Sequence, residues 1–159
     1  MGFKWAMGVF MLGLMACSGS PVGPHEGQQA PNFEASLMRG GPTSLASFRG
    51  KPTMLVFWAS WCGPCRKEAP EVVKVAGNYG STVNVVGINA GESIGTAKRA
   101  AKQMGITWPV VMDMQGSIQS AYKVSGIPLV LIVDENGVVR HRNNGVPSNV
   151  HRLLDGLIQ

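Results

Sequence analysis

One junction constrains the fold of this chain more than any other: "PTMLVFWASWCGPCRKEAPEVVKVAGNYG", residues 52–80. Its first part, Pro52 to Ala59, is nearly continuously apolar, β-branched and aromatic, as a central strand buried on both faces requires. Its last part carries Val72, Val75 and Ala76 at helical spacing, with Gly80 as a stop. Pro70 falls inside that helix and is expected to kink it. Between strand and helix stand Cys62 and Cys65, two of the three cysteines in the chain.

The rest of the chain continues the alternation. "NFEAS" reads as a short strand and "RGGPTSL" as a turn with a second short strand. "TVNVVGIN" is a strand, and "SIGTAKRAAKQMG" a helix capped by Ser93 and ended by Gly105. "WPVVMD" reads as a short strand and "GSIQSAYKV" as a short helix. "PLVLIVDENGVVRHR" is a hairpin turning at "DENG". "SNVHRLLDGLIQ" closes the chain as a helix capped by Ser148. Strand–helix–strand units argue for parallel pairing and the late hairpin for antiparallel strands. The class is therefore α/β, a mixed sheet with helices on both faces.

With 159 residues, 45% hydrophobic and 14% charged, the chain can bury one real core and does not read as disordered. Its formal charge of +5 comes from scattered Lys and Arg, with no run dense enough for a nucleic-acid arm. The N-terminus reads as a targeting segment. Lys4 precedes the apolar run Trp5 to Met15, which is too short to span a bilayer comfortably. "LMAC" follows and resembles the lipobox of bacterial lipoproteins, with cleavage after Ala16 and Cys17 as the lipidated residue. Residues 1–16 are then a signal peptide, 17–30 a lipidated N-terminus with a flexible linker rich in Gly, Pro, Ser and Gln, and 31–159 the folded domain. His25 and Glu26 in the linker are read as solvated. Acyl chains on Cys17 would anchor the protein to a membrane.

Three chemistries compete for Cys62-Gly63-Pro64-Cys65. A structural zinc site needs about four ligands; His141 and His151 have no zinc-type spacing to this pair. An inert disulfide would close so short a loop that it restrains the unfolded chain little. Redox exchange has physical support. At a helix start, free backbone N–H groups and the positive dipole end favour a thiolate. Cys62 is then the low-pKa nucleophile, and Cys65, one turn on and expected to be more buried, the resolving thiol. Pro64 pre-sets the first turn.

"FWASWCGPC" resembles the active site of thioredoxin-fold proteins. Together with "CGPCRKEAP", "VVGINAGES" and "YKVSGIPLVLIVDENGVV", it is similar to the TlpA/ResA-like family of membrane-tethered thiol–disulfide oxidoreductases. The resemblance covers residues 31–159. It implies a thioredoxin-like fold with an N-terminal β-hairpin extension and a central α/β insertion near Ala90 to Gly116. It also implies a Cys62–Cys65 redox-active disulfide, with Trp61, Ile127 and a cis Pro128 facing the substrate. Glu68 matches the family's CxxCxxE acid, a proton relay, although a solvated acid early in a helix fits equally well. Glu92 matches a second acid near the site, as a modulator; a plain helix N-terminal charge fits it at least as well. Val56 stands where thioredoxin has a buried Asp, and Leu129 where many relatives have Thr.

The implied function is reduction of protein disulfides outside the cytoplasm, with apocytochrome c as a candidate substrate. An electron donor in the membrane is implied, with no cofactor, no metal, no nucleic acid, and a monomeric protein. Two other functions compete. A peroxiredoxin-like peroxidase would need Thr or Ser where Ala59 stands and Pro where Leu55 stands. A redox-sensing or copper-handling lipoprotein could draw on Met104, Met112 and Met114, although core methionines are far commoner than methionine copper sites.

Overall fold

The computed structural model describes Met1 and residues 20–158. Cys17, the apolar run before it and Gln159 lie outside the described residues. Among the described residues seven strands and four α-helices form: β1 Glu34–Leu37, β2 Pro42–Ser44, β3 Thr53–Trp58, α1 Gly63–Tyr79, β4 Asn84–Ala90, α2 Ile94–Gln103, β5 Val110–Asp113, α3 Ser117–Ala121, β6 Leu129–Val133, β7 Val139–Asn143 and α4 Val150–Asp155. The sheet order is β2-β1-β5-β4-β3-β6-β7. β3 pairs parallel to β4 and β4 parallel to β5, while β6, β7, β1 and β2 join antiparallel. This is the mixed α/β sheet that the alternation predicts, a thioredoxin-like fold with the β1–β2 hairpin on the far edge of the α2–β5 insertion.

β3 organises the molecule. Every residue of it is buried, and its alternate side chains feed two separate cores. Met54, Val56 and Trp58 face Val72 and Val75 of α1, Ala97 and Ala100 of α2 and Leu154 of α4. Leu55 and Phe57 face Ile118 of α3, Tyr122, and Leu45 of a short 3₁₀ turn, Leu45–Phe48, that the sequence pattern did not announce. Helices therefore cover both faces. Gly87 of β4 stands beside Val56 in register, and the indole nitrogens of Trp58 and Trp108 take up the space where its side chain would be, 2.9 and 3.4 Å from the position of a Cβ.

The β6–β7 turn is held by Asp134. Its carboxylate accepts from the N–H groups of Asn136 at 3.0 Å and Val138 at 2.8 Å and from Arg140 Nε at 2.8 Å. Ser93 caps α2 as expected, its Oγ accepting from Thr96 N–H at 3.3 Å. α4 departs by one residue: Asn149, with no side-chain cap bond, takes the N-cap position expected of Ser148.

The larger departure concerns the expected flexible linker. From Pro21 to Ala30 the backbone is tied down. Gln29 bridges both Val22 and Val138. Gly27 N–H donates to the Val139 carbonyl at 2.8 Å, Val139 N–H to the Gln28 carbonyl at 2.9 Å and Ala30 N–H to the Gly137 carbonyl at 2.9 Å. Glu26, read as solvated, accepts from Arg142 N–H at 3.3 Å and faces His141 Nδ1 at 3.4 Å. An edge strand offers a row of free N–H and C=O groups to any extended chain. Main-chain bonds of that kind need no apolar period, so the polar composition of this segment concealed them.

The strap is fixed at its end by Tyr122, a buried side chain whose hydroxyl donates to the Pro31 carbonyl at 2.7 Å. Burial pushes that phenol well above its ordinary range. Tyr122→Phe leaves the carbonyl without its donor, and we expect it to cost about 1–3 kcal/mol, read as a lower urea midpoint at unchanged slope.

Candidate active site

The strand-to-helix turn delivers the dithiol. Cys62 is the N-cap of the 17-residue α1, and its Sγ accepts from Cys65 N–H at 3.2 Å. Pro64 lies in the first turn, where a missing N–H costs nothing. The two cysteines are joined in a disulfide. Cys65 was expected deeper than Cys62; in this oxidised form they are equally buried, at 4% and 3% exposure. The bond draws both sulfurs in against the helix start.

Around the disulfide the chain brings together most of the residues the sequence singled out. Trp61 projects beside it with 69% of its surface exposed. The Ile127–Pro128 peptide is cis. A groove of about 430 Å³ runs over Pro64, Glu68, Gly126, Ile127, Pro128 and Asn144. Beneath it lies a cavity of about 20 Å³, bounded by Cys65, Glu68, Val56, Pro128 and two tryptophans, Trp58 and Trp108. Glu68 and Pro128 border both spaces.

Glu68 is half-buried on α1, one turn past Cys65. Its Oε2 accepts from Val146 N–H at 3.0 Å. The carboxylate rests on Gly145, whose φ of +93° and lack of Cβ make room for it. Glu68 is therefore anchored to the loop after β7 and is not simply a solvated helix charge.

Glu92 lies elsewhere. Its carboxylate accepts from Ser60 N–H at 2.8 Å, from Asn89 Nδ2 at 2.8 Å and from the Ser60 hydroxyl. The Ser60 carbonyl in turn accepts from Arg66 Nε at 2.9 Å and Nη2 at 2.5 Å. All of Ser60's polar groups are thus held, two residues before Cys62. Glu92 acts on the turn that carries the cysteine and makes no hydrogen bond to either sulfur. Burial by itself would raise its pKa. The hydrogen bonds from Ser60 and Asn89 and the charge of Arg66 outweigh burial and hold the carboxyl below its ordinary value.

Ser60, Arg66 and Asn89 were missed by sequence reasoning, as were Trp58 and Trp108 as cavity walls. A polar serine inside an otherwise apolar strand-to-helix turn was the available signal. Met104 lines the same cavity and Met112 is buried, as core residues are, whereas Met114 is 51% exposed and is not a core residue. Among the described residues no three His, Cys, Asp or Glu side chains cluster to hold a metal. Among them, too, no helix is long and apolar enough to cross a membrane.

The chain is similar to known proteins over most of its length. Residues 26–142 match the AhpC/TSA family. It is 34% identical over 149 residues to the thioredoxin-like protein YneN of Bacillus subtilis, covering 86% of this chain and 87% of that one. It is 33% identical over 134 residues to the thiol-disulfide oxidoreductase ResA of Geobacillus kaustophilus, covering 82% and 77%. A thiol:disulfide interchange protein of the thioredoxin family from Chlorobium tepidum matches with a TM-score of 0.71 at 31% identity, over 82% of this chain and 96% of that one. The thioredoxin domain of a thiol-disulfide oxidoreductase from Bacteroides vulgatus matches with a TM-score of 0.77 at 21% identity, over 85% and 99%, and supports the fold alone.

The lowered pKa of Glu92 has a sign. A carboxylate depressed by folding contributes stability that is full above its ordinary value of 4.5 and is lost as pH falls through the depressed value. We therefore expect the stability gap between the wild type and Glu92→Gln to be widest well above the ordinary value of 4.5 and to narrow as pH falls below it. Urea midpoints measured across that range check it.

Proposed function

The chain belongs to the AhpC/TSA family as a ResA-like thiol–disulfide oxidoreductase, and on that premise we propose that it reduces protein disulfides outside the cytoplasm while tethered to a membrane. One observation carries the chemistry: Cys62 caps a long helix, with Cys65 N–H aimed at its sulfur. An N–H at that position, together with the dipole of α1, favours the thiolate of Cys62 over its thiol.

The reaction follows from the geometry. In the dithiol form, Cys62 thiolate attacks a substrate disulfide, forming a mixed disulfide and expelling one substrate thiolate. Cys65 then attacks Cys62 Sγ, the mixed disulfide breaks, and the second substrate sulfur leaves. The substrate gains two electrons and the protein becomes the disulfide seen here. Trp61 and the groove over Ile127 and Pro128 receive the substrate, whose extended backbone pairs with Ile127 as an added strand. Glu68, one turn from Cys65, accepts the proton that Cys65 must shed.

An oxidising compartment would drain the dithiol, so a thiol electron donor in the membrane must refill it. Cys17 is the lipid attachment point. Apocytochrome c, whose haem-binding cysteines must be reduced, is the substrate class we favour. The family also invites a peroxidase reading, but Ala59 offers no hydroxyl to activate a peroxide.

Three measurements test this reading. Cys65→Ala should accumulate dithiothreitol-sensitive mixed disulfides on Cys62, with Cys62→Ala accumulating none. The midpoint potential should fall near the roughly −270 mV of a reducing dithiol; a value near the roughly −120 mV of a dedicated oxidant would overturn the reductase direction. Cys17→Ser should move the protein from the membrane fraction to the soluble one; unchanged fractionation would remove the anchor.

A further inference from the structure

The turn that leads into the Ile127–Pro128 loop is conformationally strained. Lys123 has a φ of +48° and is the only non-glycine residue with a positive φ among the described residues. It occupies the left-handed position that ends α3. Lys123 N–H donates to the Ser120 carbonyl at 3.1 Å and Val124 N–H to the Gln119 carbonyl at 2.9 Å. These are the paired bonds of a helix end that ordinarily takes glycine at this position. A residue with a Cβ resists that conformation, so its surroundings must impose it. From this turn the chain runs through Ser125 and Gly126 to Ile127 and Pro128, all of which line the groove over the dithiol.

Arg142 of β7 supplies the restraint. Its Nη2 donates to the Lys123 carbonyl at 3.1 Å, and its Nη1 makes a longer, weaker contact to the Pro24 carbonyl of the strap at 3.5 Å. The side chain is half-buried and forms no ion pair among the described residues. Burial pulls its pKa below the ordinary arginine value. A partly desolvated cation without a counter-ion is held where carbonyl acceptors converge. Here one acceptor belongs to the strap and the other to the strained turn. Glu26 of the strap accepts from Arg142 N–H at 3.3 Å, which sets the strap against the same residue. Tyr122, next to Lys123, adds a second tie through its bond to the Pro31 carbonyl.

We propose that Arg142 is a positioning residue for substrate capture: it locks the left-handed turn at Lys123 from which the Ile127–Pro128 loop departs, with the docked strap as its second anchor. The proposal rests on the reading above that the groove over Ile127 and Pro128 receives an extended substrate chain. Arg142 bonds to neither cysteine, so the reactivity of Cys62 does not pass through it. What it governs is how firmly the loop holds the geometry that accepts an added strand. The strap thereby becomes part of the substrate site without touching substrate.

Rapid mixing of the reduced full-length protein with two disulfides tests this. One is a cyclic Cys-x-x-Cys-His peptide, which needs the groove; the other is hydroxyethyl disulfide, which needs only the Cys62 thiolate. Arg142→Leu should raise the half-saturating peptide concentration roughly tenfold and leave the limiting rate unchanged. The rate with hydroxyethyl disulfide and its pH profile should match the wild type. Gly27→Pro removes the strap's N–H bond to Val139 and cannot hold the φ of +81° found there, so it should give a selective loss of the same kind. Lys123→Gly lets the turn stand unaided and should restore peptide capture to both variants, a repair that glycine would not bring to a protein merely destabilised. The proposal is overturned if Arg142→Leu slows both disulfides alike, or if Lys123→Gly rescues neither variant. A silent Gly27→Pro overturns the strap's part in it. Pro128→Ala, in the groove itself, separates the two readings. If it weakens peptide capture while Arg142→Leu does not, the proposal falls and the groove stands; if it leaves capture unchanged, both fall.

Discussion

The hydrogen bond from Cys65 N–H to Cys62 Sγ depends on nearly everything else in the molecule. It exists because α1 begins at the residue after Cys62, and α1 begins there because β3 ends at Trp58 with its direction fixed. That direction is set by six residues buried on both faces and paired on both sides, parallel to β4 and antiparallel to β6. Six consecutive buried positions permit no slip, since a shift of one residue would exchange the two cores. The reactive sulfur is placed, in effect, by hydrophobic packing.

The two acids near the site divide their work by where their hydrogen bonds go. Glu92 spends its acceptors on Ser60 and Asn89, with Arg66 closing the loop on the Ser60 carbonyl. Its business is the shape of the turn. Glu68 uses one oxygen on Val146 N–H and borders both the inner cavity and the outer groove. It thus stands between the cavity behind Cys65 and the open groove.

Much of this was legible in the sequence, and the limits have physical causes. β3, α1 and the dithiol were readable because apolar periodicity and helix-start chemistry are local. The cis Ile127–Pro128 bond and the approach of Pro128 to Cys65 were expected from resemblance and are present. The strap from Pro21 to Ala30 was hidden because main-chain hydrogen bonding to β7 leaves no side-chain signature. The α4 cap moved from Ser148 to Asn149 because two adjacent cap-forming residues give equal local signals. The meeting of Trp58 with Trp108 over Gly87 depends on the Val56–Gly87 register, which no window of sequence encodes.

The strap has a consequence for how such a protein would search for partners. If lipid sits on Cys17, only Ser18, Gly19 and Ser20 separate it from the first docked residue, Pro21. Four virtual bonds span at most roughly 14 Å. The domain would then be leashed within about its own radius of the lipid headgroups, unable to roam the space beyond. Its encounters would become nearly two-dimensional, confined to partners in or close against the same leaflet.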